Sequence, residues 1–337
     1  MAAPRVPLNF FGMPFGLAGL GGTWLAVADG GLAPRVVGDA LLVLSALVWL
    51  AVLAGYVRHV VTDRSALAHD LLDPVAGPFA SLAVITPMLL AAEGLYPYAP
   101  GVGRVLLDVF LVLTVLLGAW FTGQWIYGPM DLDKFHPGYF LPTVAGGLIA
   151  SAGAAEVGQQ RLAEVMLGLG VVCWMVLGSI ILGRMLFRPL PPGPVLPTVA
   201  IEVAPAAVAS LAWFALYGGR VDAVAAFLAG YGLLMALAQI RLLPAYLRLP
   251  FMPSTWSFTF SWAAVATVGI HWLDDGRPSG YAVYEYLVLA AITALVGGIA
   301  IRTLMAVGRR QLLPVPVPAP AGRVEPASVP ARSGWRR

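Results

Sequence analysis

The sequence predicts an all-α integral membrane protein of ten transmembrane helices, paired as five helical hairpins. Three observations point there. The chain is 59% hydrophobic and only 11% charged, whereas soluble domains carry about 25% charged residues. Apolar runs long enough to cross a hydrocarbon core, about 20 residues, recur from end to end. The runs also alternate in character. Odd ones are rich in Gly, Ala and Pro, even ones in Leu and Val, and units begin near Pro7, Pro74, Pro137, Pro197 and Pro253. Regular spacing of this kind is a repeat signal.

A short polar lead precedes the first span, residues 10–28, which is glycine-rich and contains Pro14. The second, 36–57, is plain Leu, Val and Ala, and a link with Arg58, His59, Asp63 and Arg64 follows. The third, 75–92, holds Pro78 and Pro87. The fourth, 104–127, ends on Trp120, Trp125 and Tyr127, amphipathic rings suited to a membrane surface. The fifth, 137–155, has Pro142 and a Gly/Ala body, and the sixth, 163–187, is Leu/Val/Met-rich. A PLPPG link leads to the seventh, 197–216, with Glu202 and Pro205, and then to the eighth, 222–243. The ninth, PSTWSFTFSWAAVATVGIHW at 253–272, mixes aromatic, hydroxylic and small residues, as a helix lining a pathway would. The tenth covers 281–306. Residues 1–311 form the membrane domain in this reading. Residues 312–337 are Pro, Ala, Val, Gly and Arg without periodicity and are expected to be a disordered tail.

Composition excludes several classes. Basic residues are sparse and scattered, with no nucleic-acid footprint. The lone Cys173, in an apolar run, can form neither an internal disulfide nor a thiolate cluster and reads as packing. The first 30 residues lack the basic start and cleavage site of a signal peptide and are expected to stay in the mature protein. No hydrolase, zinc-protease or nucleotide-binding motif is present, and no cofactor is expected. An even number of spans puts both termini on one side. Arg5, Arg58, Arg64, Lys134, Arg184, Arg188, Arg241, Arg248, Arg302, Arg309 and Arg310 share that side, against Arg35, Arg104, Arg161, Arg220 and Arg277 opposite. The bias makes the termini cytoplasmic.

Proline and glycine loosen a helix and are tolerated in a bilayer where the helix is buried in protein or lines a wet cavity. Their confinement to alternate spans places the five odd helices in an inner ring, with the five even ones against lipid. Four stretches then carry a resemblance: FFGMPFGLAGLGGTW at 10–24, FHPGYFLPTVAG at 135–146, LPTVAIEVAPAAVAS at 196–210 and WSFTFSWAAVAT at 256–267. In this order, on ten spans, the chain resembles the tellurite-resistance/dicarboxylate transporter family, which has bacterial tellurite-resistance channel and plant slow anion channel branches. The resemblance covers about residues 5–308. It implies five hairpins around a pseudo-fivefold central pore, a homotrimer with one pore per protomer, and small anions as cargo. Inorganic anions pass in the channel branches, dicarboxylate or sulfite in the transporter branches. The expected function is a gated anion channel of the bacterial inner membrane. A carrier or exporter for C4-dicarboxylate, sulfite or tellurite-type anions, with or without proton coupling, stays open as the alternative.

By the WSFTF match, Phe260 is the pore gate that the resemblance implies. Plant channels of the family follow this phenylalanine with proline, whereas this chain has Ser261, so plant-like gating is not carried over. Phe258, two residues away, faces elsewhere and reads as packing, although it is kept with Ser261, Gly16, Gly146 and Ala264 among residues for the pore or its mouth. Glu202 is read as the one acid well inside a span. It is either a transport group or, more in keeping with its place near Pro197, a mouth charge paired with an arginine such as Arg188. His136, preceding Pro137, is a mouth charge or a helix cap. His271 beside Asp274 and Asp275 reads as a solvated interfacial cluster.

Overall fold

Proline opens the buried helices rather than breaking them midway. Five segments begin with a 3₁₀ turn that is led by proline or has proline in its first two positions: Leu8–Phe11 after Pro7, Gly77–Ser81, Pro137–Phe140, Leu196–Val203 and Pro253–Trp256. The first N–H groups of a helix have no intrahelical acceptor, so a residue without one costs nothing there. Further in, Pro14 and Pro205 stand where the 3₁₀ turns pass into α-helix, and Pro87 and Pro142 stand where the ladder widens into π turns at Leu90–Leu95 and Leu141–Ala145. Prolines thus stand inside the first, third, fifth and seventh spans, as the sequence reading has them, as well as at the openings of the buried segments.

The computed structural model describes residues 6–309, Gln311 and Leu312. Arg5, Arg310 and all of the expected tail after Leu312 lie outside the described residues. The fold is all α. Its segments are α1 Leu8–Asp29, α2 Arg35–Thr62, a short α3 Ala66–Leu72, α4 Gly77–Leu95, α5 Pro100–Tyr127, α6 Pro137–Glu156, α7 Gln160–Phe187, α8 Leu196–Tyr217, α9 Ala223–Tyr246, α10 Ser257–Gly276 and α11 Tyr281–Gly308. Nine of these, all but α3 and α10, are long and apolar enough to cross a membrane among the described residues. The chain is therefore a multi-span membrane protein. At 20 residues α10 measures about 30 Å, matching a hydrocarbon core, but its hydroxyls and terminal aspartates make it more polar.

Burial follows the alternation of composition. The most apolar stretches of α1, α4, α6 and α8 are 67–83% buried, those of α2, α5, α7, α9 and α11 only 17–28%. The exposed set presents Val43, Leu47, Leu116, Val176, Leu237 and Ile301 outward, a surface fit for lipid. Contacts between the buried segments run from α1 to α4, α4 to α6, α6 to α8, α8 to α10 and α10 back to α1. Each exposed helix packs on its buried predecessor in the chain. Small residues allow the closest approach. A methyl added at Gly16 of α1 would collide with Thr259 Oγ1 of α10, so these two helices touch almost backbone to backbone.

The two ends differ. At one, the links before α4, α6, α8 and α10 are tied together. Tyr139 donates its hydroxyl to the Pro74 carbonyl (2.7 Å), Arg184 donates to the Asp133 carbonyl (3.2 Å), and Ser254 donates to the Pro194 carbonyl (2.7 Å). At the other, Arg35 pairs with Asp29 (2.7 Å), Tyr98 donates to Asp39 (2.7 Å) and Gln159 to Asp108 (2.8 Å).

Two cavities and the residues between them

The buried helices leave two cavities, one toward each end. The first, about 600 Å³ counted with its open mouth, lies among the proline-led starts. Its wall is apolar, with Leu82, Leu141, Val144, Ile201 and the rings of Phe15, Phe79 and Phe140. Its polar members are Asn9, Ser254, Ser257 and Ser261. Ser261 gives its hydroxyl hydrogen to the Ser257 carbonyl (3.0 Å), and Ser254 is committed to Pro194, so these hydroxyls have little left to offer an ion. Among the described residues, no charged side chain lines this cavity.

The second cavity is larger, about 1850 Å³ with its open mouth. Gly19, Leu25, Ala92, Leu211, Phe214, Ala264 and Thr267 give it apolar and small walls, and Asp29, Arg35, Glu93, Glu156, His271, Asp274 and Arg277 surround it with charge. Arg35 is already held by Asp29.

Two residues line both cavities: Phe260 of α10 and Val208 of α8. The Phe260 ring is boxed in by α1. Phe15 stacks on it, centroids 3.7 Å apart and planes 18° from parallel. On the next turn of α1, a methyl at Gly19 would come within 2.8 Å of Phe260 Cδ2. Glycine there is what lets the ring lie against the helix.

Of the other residues singled out from sequence, Ser261 lines the first cavity and Ala264 the second. Phe258 lines neither and packs edge-on against Tyr246 (4.9 Å, 84°). Gly16 and Gly146 line neither as well. Gly16 sits against Thr259, and Gly146 against the Thr114 methyl of α5, where a Cβ would come to 2.7 Å. Both serve helix contacts.

His136 is a cap rather than an exposed mouth charge. It is 1% exposed, its Nδ1 accepts the Gly138 N–H (3.1 Å), and its Nε2 lies 3.1 Å from the Val75 carbonyl. With Nδ1 accepting, Nε2 carries the proton and donates to Val75. Burial lowers its pKa to about 4, and nearby Arg184 pushes the same way.

Two readings of Glu202 are corrected. It has no pairing with Arg188, which instead meets Asp133 at 3.5 Å. Glu202 is 1% exposed, and neither carboxylate oxygen has a hydrogen-bond partner among the described residues. It lines neither cavity and faces α9, where Tyr231 and Tyr246 lie within its electrostatic reach. Nor is it alone, since Glu93 and Glu285 also fall within helical segments. The sequence reading stopped the third span short of Glu93, because it did not foresee the π turn that carries α4 on to Leu95.

Phe15 and Val208 are the residues that sequence reasoning missed. The available signal was helical spacing, since Phe15 and Gly19 stand one turn apart on one face of α1. Among the described residues, no group of three or more His, Cys, Asp or Glu could hold a metal ion.

Multiple buried helices thus enclose two cavities, one toward each end, that share Phe260 and Val208. Residues 5–304 match the family of SLAC1, described as voltage-dependent anion channel, and the chain belongs to that family. It is a channel- or transporter-type protein for small anions, not an enzyme. It is 27% identical over 286 residues to the tellurite resistance protein TehA homolog of Haemophilus influenzae, covering 84% of this chain and 86% of that one. It is 23% identical over 292 residues to the guard cell S-type anion channel SLAC1 of Arabidopsis thaliana, covering 82% of this chain and 51% of that one. The match thus spans about half the length of the plant relative.

Proposed function

We propose that the chain is a gated passage for small inorganic anions in a bacterial cytoplasmic membrane, closed at Phe260. The observation that carries this is the place of Phe260, which with Val208 is shared by two cavities at opposite ends of the helices. An anion entering the apolar first cavity loses water and meets few free donors, so an uncharged ring across its path raises a desolvation barrier. Ions that release water readily, such as nitrate, should pass more easily than chloride.

In the same reading, residues 1–311 form ten spans, α10 included, as five hairpins. The cyclic contacts of α1, α4, α6, α8 and α10 support a pseudo-fivefold ring about the pore. The basic links at the proline-led end support a cytoplasmic position for both termini. We extend the reading to a homotrimer. The exposed groove of Trp24, Ala290, Ala294, Gly297 and Gly298, whose small residues permit close helix approach, is compatible with it.

The test is anion flux through purified protein in liposomes at a set voltage, comparing chloride, nitrate, sulfite and malate. Phe260→Ala, with an unchanged elution volume in detergent, should raise flux well above wild type, while Phe258→Ala should raise it little. Saturable malate or sulfite flux, tied to a proton gradient and indifferent to Phe260→Ala, would establish a carrier instead.

A further inference from the structure

The gate residue is not a lone ring in this chain. Phe15 is 5% exposed, lines the first cavity only, and lies face to face with Phe260 at 3.7 Å. Its position is fixed from behind. The neighbouring residue, Gly16, is the contact point of α1 with Thr259 of α10, so the backbones bearing the two rings are locked together one residue away from each ring. Phe260 therefore sits in a slot of α1, with Phe15 over one face and the gap left by Gly19 one turn on. It cannot swing from the path without unstacking from Phe15 or pushing that ring into the first cavity.

We propose that Phe15 is the second half of the gate, so that the passage is closed by a two-ring plug contributed by α1 and α10. This rests on the reading of Phe260 as the closing residue. Phe15 has two separable effects. It holds the Phe260 ring in the closed position, so its loss raises the open population. It also adds a second apolar layer on the side of the first cavity, so its ring keeps part of the barrier when Phe260 is shortened. Stacked aromatic pairs contribute beyond simple burial by an amount equal to about a 2- to 10-fold change in an equilibrium. That is the expected rise in open-to-closed ratio when the stack alone is removed.

The experiment compares nitrate and chloride flux, and single-channel open probability in planar bilayers, for wild type, Phe15→Ala, Phe15→Leu, Phe260→Ala and the double variant Phe15→Ala/Phe260→Ala. Phe15→Leu keeps apolar bulk and packing but abolishes the stack, so it reports on gating if Phe15→Ala fails to fold. Expected are a rise of about 2- to 10-fold in open probability for Phe15→Leu, at least as large a rise for Phe15→Ala, and flux in the double variant above that of either single variant. Opening of the double variant alone would also support the shared plug, while removing Phe260 as a sufficient gate. If Phe260→Ala conducts but Phe15→Leu behaves as wild type and the double variant matches Phe260→Ala, Phe15 is overturned and the Phe260 reading stands. Near-zero flux in all five proteins overturns both.

Discussion

His136 shows how a single side chain sets a pH response away from the pore. It is held neutral, donating to Val75 and accepting from Gly138. Unfolded, it takes up a proton below about pH 6.5, and folded only below about pH 4. The unfolded state therefore binds more protons between these values, and stability falls as pH falls from 6.5 to 4. The full effect is about 3 kcal/mol. Thermal unfolding in detergent should show a melting temperature dropping across this window, and His136→Gln should flatten the drop. Glu202 gives a contrasting prediction. Because it lines neither cavity, Glu202→Gln should leave anion flux and its pH dependence at wild-type levels. Loss of both in a folded protein would give Glu202 a transport role. The chemistry of these residues was legible only in part. Burial and partners depend on which helix lies opposite, so a histidine before proline reads equally as cap or mouth charge, and Glu202 invites a partner that the described residues do not supply.

At the scale of elements, the contact of α1 with α10 matters most, because it carries both rings. Gly16→Ala would drive a methyl into Thr259, and overpacking of this kind costs about 1–3 kcal/mol. The variant should melt at lower temperature. It should also conduct more than wild type, because parting the two helices loosens the ring stack. A lowered melting temperature with unchanged closed-state flux would uncouple this contact from the gate. The boundaries of most helices were legible from their apolar runs, as was the contrast between small-residue and aliphatic spans. Residue composition alone distinguishes a helix packed among helices from one facing lipid. The stacking of Phe15 was not legible, because it depends on the register of α1 against α10, and sequence periodicity describes each helix only in isolation. The long 3₁₀ start of α8 was also hidden, although prolines pointed to its beginning.

For the molecule as a whole, the asymmetry of its ends yields a test of orientation. Single cysteines introduced in a Cys173→Ser background should react with an impermeant reagent at position 274 and stay protected in the link around position 134. The reverse pattern would invert the topology. The second cavity, rimmed by Asp29, Glu93, Glu156 and Asp274, would then face the cytoplasm instead of the exterior. The WSFTF match singled out Phe260 from sequence, whereas the two cavities that it borders arise only once distant segments are assembled.

The modest hydropathy of α10 bears on how the protein is made. The helix that carries Phe260 has hydroxyls at Ser257, Thr259, Ser261 and Thr267 and ends on Asp274 and Asp275. Alone in lipid, such a segment keeps the local bonds of Thr259, Ser261 and Thr267 to carbonyls a turn earlier, but its terminal aspartates and the Trp256 indole N–H would lack partners. In the folded protein, Thr267 meets Thr23 of α1 (2.9 Å), and Trp256, in the turn leading into α10, meets Thr303 of α11 (2.9 Å). As a tenth span, α10 would thus depend on partners made first and last in the chain. Biosynthetic insertion of α10 should accordingly be inefficient as an isolated segment and improve when α11 follows it, and premature truncation before α11 should leave α10 outside the membrane.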